Sequence, residues 1–186
     1  MQQKKEVKIR LAESFRELVL EKPIEKITIK EITDRAGVIR VTFYNHFQDK
    51  YELLEWIIRE EAVEPARVLL HNNMEQEALA FLFNSIKKNR DFYVHVVRLE
   101  GQNSFESIIC GCFIDVITDY LAGHVSKGTK KYKWLTPQRV GEFYGRSLTY
   151  IIISWIKSGM DASPEEMVET YNYIAHHSLL DLPTQL

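Results

Sequence analysis

Residues 28–54, TIKEITDRAGVIRVTFYNHFQDKYELL, set two short helices and the start of a third between two cap signals and one glycine, which leaves little choice of fold. Thr28 stands before Ile29 with Glu31 three residues on, the capping box that starts a helix. Ile29, Ile32, Thr33 and Ala36 then recur at helical spacing and form one narrow apolar face. Gly37 follows where that helix must stop, a position that favours a residue tolerant of positive φ. The spacing predicts a second short helix from about Ile39 to His46. In it Val38, Thr42 and Phe43 turn inward, Phe47 closes the unit, and Arg40, Val41, Tyr44, Asn45 and His46 stay near the outer side. Asp49 and Glu52 form a second capping box. Lys50 lands in the first turn of that third helix, where a cation opposes the helix dipole unless a phosphate also sits there. Two short helices around a tight turn are the layout of a helix-turn-helix, whose second helix enters the DNA major groove.

The remainder reads as helix throughout. A first helix spans about Lys4 to Leu20, with Val7, Leu11, Phe15 and Leu18 on its apolar face and Pro23 beyond its end. The helix after Asp49 carries Leu53, Leu54, Trp56, Ile57 and Ile58, and Pro65 is expected to kink or break it. A fifth helix fits Glu75 to Lys88 and a sixth Arg90 to Leu99. Gly101-Gln102-Asn103 make a turn, and Ser104 caps a long seventh helix through about Val125. Residues 126–135, SKGTKKYKWL, form a basic loop with four lysines, either a solvated connection or a flap. Thr136-Pro137 starts an eighth helix that should end at Ser158 with Gly159 as its stop. Ser163-Pro164-Glu165-Glu166 starts a ninth, carrying Met167, Val168, Tyr171, Ile174, Ala175, Leu179 and Leu180. The expected class is all-α with about nine helices: a helix-turn-helix DNA-binding domain over residues 1–48 and a second helical domain over 49–186.

Charge is spread unevenly. The net charge of −2 hides eleven basic against eight acidic residues in positions 1–50, and thirteen against eighteen in the rest. A basic leading module on an acidic body suits one face that meets DNA and another that avoids it. Cys110 and Cys112 are two residues apart and point to different sides of a helix, so they are expected as buried small hydrophobes rather than a bridge or thiol sensor. Two cysteines without a leader segment suit the reducing cytoplasm. The densest apolar run, Leu148 to Ile156, falls short of the ~18 residues of a membrane helix. No G-x-S-x-G, H-E-x-x-H, P-loop or G-x-G-x-x-G occurs. His176 and His177 point about 100° apart on a helix, and Asp115 and Asp119 share a face with no histidine near in sequence. No catalytic residues, metal or cofactor are therefore expected.

Residues 36–54, AGVIRVTFYNHFQDKYELL, resemble the DNA-binding signature of the TetR family of one-component regulators, AGVSxGTxYxYFxxKEELL. Ala36, Gly37, Val38, Thr42, Phe43, Tyr44, Phe47, Lys50, Leu53 and Leu54 match in type and spacing. The run TFYNHFQDKYELLEWI is similar to a Gram-positive subgroup that includes a dihydroxyacetone-kinase operon activator. There are two departures. Ile39 stands where the family has Ser and cannot cap, at a cost of about 1 kcal/mol. Val41 stands where the family has Gly, and an apolar group there can meet a thymine methyl.

The resemblance implies a role for each of several residues. Thr42 and Tyr44 would touch the DNA backbone, Lys50 and its helix start would hold a phosphate, and Arg40 with Asn45 or His46 would reach base edges or phosphate. Thr28, Lys30 and Val41 complete the expected DNA-facing set. The last two helices would pair with their symmetry mates. The eighth is apolar around more than one face, so Phe143, Leu148, Ile151, Ile152, Trp155, Tyr171 and Ile174 are the expected dimer residues. An effector pocket is expected between the fourth and eighth helices, using Tyr93, Arg98, Tyr120 and Tyr144, with His95 and Tyr150 as further polar groups. The implied function is a homodimeric regulator, a repressor reading a pseudo-palindromic operator under control of an effector. The alternative is a helical protein–protein module, or an activator controlled by a protein partner, with weakened DNA readout. Double-stranded DNA, a second copy of the chain, and a small molecule or protein co-regulator are the expected partners; a membrane is not.

Overall fold

The computed structural model describes residues 2–124 and 132–177. Most of the basic loop and the expected positions of Val125, Leu179 and Leu180 lie outside these. The helices are α1 (Gln2–Glu21), α2 (Ile29–Ala36), α3 (Arg40–Tyr44), α4 (Lys50–Ile58), α5 (Glu64–His71), α6 (Glu75–Lys88), α7 (Arg90–Val96), α8 (Phe105–His124), α9 (Pro137–Lys157) and α10 (Pro164–His176). A 3₁₀ turn, Ile24–Lys26, precedes α2, and a π-turn, Arg59–Val63, joins α4 to α5 without a break. Counting that rod once gives nine helices among the described residues, and no strand.

The local caps form as the spacing predicts. Thr28 Oγ1 accepts from Glu31 N–H at 3.2 Å, and Glu31 Oε2 accepts from Thr28 N–H at 2.9 Å. Gly37 ends α2 at φ 63°, and its N–H returns to the Thr33 and Asp34 carbonyls. Arg10, on α1, then covers that helix end, donating from Nε to Ala36 O at 3.1 Å and from Nη2 to Gly37 O at 3.0 Å. A guanidinium there meets both the orphan carbonyls and the negative end of the dipole. Thr136, Ser104 and Ser163 cap as expected, accepting from Arg139, Ser107 and Glu166 N–H. The second short helix covers Arg40–Tyr44, shorter than the expected Ile39 to His46: Ile39 is its cap and makes no side-chain hydrogen bond, and Asn45 and His46 fall in the turn that follows.

Pro65 neither breaks the rod nor kinks it in the ordinary way. Proline lacks the N–H that would reach the Glu61 carbonyl, and its ring crowds that carbonyl. The chain answers with the π-turn, in which Glu64 N–H bonds Arg59 O. The freed Glu61 carbonyl accepts instead from Ser85 Oγ of α6 at 2.9 Å.

One continuous apolar cluster runs from Leu11, Phe15 and Phe43 through Leu54 and Ile58 to Phe83, Phe105 and Ile152. Ion pairs fasten the α4–α5 rod to its neighbours. Arg16 of α1 pairs with Glu61, Arg59 with Asp115 at 2.8 Å, and Arg67 with Asp119 at 3.4 Å. This accounts for the carboxylates that share one face of α8. α8 and α9 approach closely at Gly141 and Gly145, where a Cβ would lie 2.2 Å from Thr118 Oγ1 and 2.7 Å from Ile114 Cγ1 respectively. Cys112 is buried, and that burial pushes its thiol up to about 12. Cys110 is half-buried.

Candidate nucleic-acid interface

Aromatic packing beneath α3 fixes what the helix presents. Phe43 is wholly buried, with its ring 5.6 Å from Tyr44 and 5.8 Å from Phe47, and Phe47 stacks on toward Trp56 at 5.8 Å. With Phe43 held inward, Ile39, Val41 and Tyr44 are left 69%, 64% and 53% exposed. Arg40 and Asn45 are exposed beside them, and Thr42 and His46 are half-buried at the edges. Burial, then the charges of Lys8 and Lys4, holds His46 below the ordinary histidine value.

Two expected contacts fall differently. Lys50 is corrected: its Nζ donates to the carbonyls of Ile24, Ile27 and Glu25 at 2.7, 2.8 and 2.9 Å. Those bonds use all three ammonium protons, and none remains for a phosphate. The four-carbon stem lets the charge leave its own helix end and staple the 3₁₀ turn, which also removes the expected conflict with the dipole. The start of α4 is likewise occupied, since Asp49 Oδ1 accepts from Tyr51 and Glu52 N–H and Glu52 accepts from Gln48 N–H. Thr28 is corrected as well, because its hydroxyl proton goes to Glu31 Oε2 at 2.9 Å. Lys30 remains in solvent, only 3.8 Å from Asp34 in a weak i,i+4 pair. One basic feature was missed. Lys4, Lys5 and Lys8 of α1 line a cleft with His46 and Trp56 beside α3. The K-K-x-x-K run was its signal.

The expected effector residues do not meet. Tyr93 is fully buried against Phe92 and Phe105, with its hydroxyl unpartnered, and burial raises its pKa. Arg98 lines an open cleft with Glu100, Glu106 and Lys157. Tyr120 donates to Glu75 Oε1 at 2.8 Å, and Tyr144 sits on the outer side of α9. An equally open but mainly apolar cavity lies elsewhere, about 180 Å³ between α5, α6, α8, α9 and α10. Val63, Leu70, Leu82, Phe113 and Ile117 wall it, and Glu75, Tyr171 and Asn172 edge it. Its apolar lining is indistinguishable from core in a sequence.

The expected dimer residues divide by face. Leu148, Ile152 and Trp155 are corrected: they are buried in their own chain. The Trp155 ring lies 5.3 Å from Phe83, and its Nε1–H donates to Ala162 O at 3.0 Å. Ile151 and Tyr171 are half-buried. On the outer face Phe143 and Tyr150 are 70% and 73% exposed, with Ile174 of α10 also exposed. α9 thus has two apolar faces, and among the described residues only one of them is covered.

Among the described residues no helix is long and apolar enough to cross a membrane, and no cluster of metal-ligating side chains is present. Comparison with known proteins adds the following. Residues 14–57 match the family described as bacterial regulatory proteins, tetR family, and residues 73–177 match the transcriptional regulator C-terminal region of such proteins. The HTH-type dhaKLM operon transcriptional activator DhaS of Lactococcus lactis subsp. lactis (strain IL1403) is 31% identical over 87 residues, 45% of this chain and 44% of that relative. The aligned stretch thus spans less than half of the relative's length. Among solved structures, the dihydroxyacetone kinase operon activator DhaS aligns with a TM-score of 0.59 at 21% identity, covering 90% of this chain and 93% of that one. The fatty acid degradation regulator FadR from Bacillus halodurans aligns at 0.60 and 16%, covering 93% and 96%. NalD, the secondary repressor of the MexAB-OprM multidrug efflux pump in Pseudomonas aeruginosa, aligns at 0.56 and 17%, covering 93% and 97%. At these identities the structural likeness is one of fold.

Proposed function

The chain belongs to the TetR family and is a DNA-binding transcriptional regulator, and from that premise we propose that it reads a pseudo-palindromic operator as a homodimer. The observation that carries the reading is the outer side of α3, where Ile39, Arg40, Val41, Tyr44 and Asn45 face solvent. In this reading Arg40 and Asn45 reach base edges, Thr42, Tyr44 and Lys30 hold the backbone, and His46 with the lysines of α1 extends the contact. The DNA-binding domain is taken as residues 1–48 and the effector and dimerisation body as residues 49–186. Phe143, Tyr150 and Ile174 form the apolar patch through which a second copy would pair, and a two-fold dimer would set half-sites about one DNA turn apart. The 180 Å³ cavity is the proposed effector site. The reading carries no catalytic step, cofactor or membrane contact, and it sets the protein to work in the cytoplasm.

Repression is the first form of this proposal, since occupying a promoter needs no contact beyond DNA. Activation is the second, favoured by the printed name of the Lactococcus lactis relative. The test is selection of bound duplexes from a random pool, repeated with Arg40→Ala and Tyr44→Ala, followed by a promoter reporter. A two-fold symmetric site, bound less tightly by both variants and with a steep salt slope, is the expected result. No enrichment at low salt overturns the direct DNA reading and leaves a protein–protein module. The sign of the reporter response separates repressor from activator.

A further inference from the structure

Ile39 and Val41 contribute little to the chain that carries them. Both are among its most exposed large apolar residues, and neither belongs to the core or packs against it. Ile39 holds the cap position of α3 in an extended conformation, φ −85° and ψ 155°, yet makes no capping hydrogen bond. A serine there would cap the helix. A sequence that breaks a local rule without a structural gain marks a position answering to something outside the fold. Both side chains are β-branched and stiff at χ1, so their methyl groups are already ordered before any contact forms. They sit on either side of Arg40 in sequence, in the first turn of the helix whose outer side the proposed function gives to DNA. The first residues of a recognition helix are the ones that meet base edges. In the major groove only thymine presents an apolar group, its C5 methyl; the other base edges present hydrogen-bond donors and acceptors.

We propose that Ile39 and Val41 read thymine methyl groups, so that each operator half-site carries thymine next to the base approached by Arg40. The inference rests on α3 being the DNA-reading helix. It adds a specificity that the polar residues of that helix do not supply. Arg40, Thr42, Tyr44 and Asn45 beside the pair make a DNA groove the fitting occupant, in preference to an apolar protein surface.

The test uses the full chain and the duplex recovered by selection, with half-site thymines replaced one at a time by deoxyuridine, which lacks only the methyl. At the thymines read by the pair, affinity should fall about fourfold per methyl, the worth of one buried methylene, and about fifteenfold when the symmetric thymine is replaced too. Deoxyuridine in the flanks should change nothing. The Ile39→Ser/Val41→Ser variant should bind thymine and deoxyuridine duplexes alike, with its far-UV spectrum and salt slope unchanged. A duplex that binds tightly and salt-dependently, but equally well with thymine or deoxyuridine at every half-site position, overturns the inference and leaves the regulator reading standing. Failure to bind any duplex overturns the assignment of α3 to DNA, and this inference with it.

Discussion

Glu31 shows how closely one side chain can be held at the surface. The Lys22 ammonium, then the Thr28 N–H and hydroxyl, bring its carboxyl from the ordinary 4.5 to about 2. The folded value lies below the unfolded one, so the carboxylate contributes stability above pH 4.5 that is lost as pH falls toward about 2. Glu31→Gln should therefore flatten the acid limb of a pH–stability curve between those values, as read from urea midpoints. Ser85 offers a second test. Ser85→Ala leaves the half-buried Glu61 carbonyl without its donor and should cost about 1 kcal/mol. In a Ser85→Ala/Pro65→Ala background most of that loss should be absent, since residue 65 then has an N–H to offer. Equal losses in both backgrounds would show that Ser85 matters for some other reason. Lys50 was beyond the reach of sequence reasoning because its partners lie 23 to 26 residues away. Thr28 and Gly37 were legible as caps because theirs lie within four.

The same division holds for whole elements. Starts at Thr136-Pro137 and Ser163-Pro164 fall where the sequence puts them, since a cap, a proline and an acidic turn act within one helical turn. The π-turn did not announce itself, because Pro65 signals that a helical hydrogen bond is lost and not how the chain accommodates the loss. The crossing of α8 and α9 is set by Gly145, where a Cβ would stand 3.0 Å from the Ile114 backbone nitrogen as well as against its side chain. Gly145→Ala should therefore destabilise the fold by about 2 kcal/mol in thermal or urea unfolding. Gly111 lies within α8 and has nothing within 4 Å of its Cβ position. Gly111→Ala should stabilise by about 0.5–1 kcal/mol. If both substitutions prove equally mild, the helices have more freedom to separate than their contact implies.

At the level of the molecule, the all-α class and the helix order were legible because periodicity and caps are local signals. The allocation of apolar residues to core, cavity and open patch was not, because all three use the same side chains. α9 makes the point: Trp155 and Phe143 look alike in sequence, and only packing separates them, Trp155 lying buried against Phe83 and Phe143 standing exposed. The open patch carries a prediction of its own. A Phe143→Asp/Tyr150→Asp variant should be monomeric by sedimentation while keeping its helical spectrum, and it should bind a two-fold site far more weakly than a native dimer. A variant that still sediments as a dimer would move the pairing surface elsewhere.

Val63 belongs at once to the π-turn and to the cavity wall, two residues from the glutamate that α1 holds through Arg16. If the cavity holds the effector of the proposed function, its occupancy and the posture of the leading helix would be coupled through that turn. A molecule whose binding favoured one setting of that turn would then change affinity at α3 by some factor. Thermodynamic reciprocity then requires DNA to change the affinity for that molecule by the same factor. In the proposed function the operator would itself be an effector of the cavity.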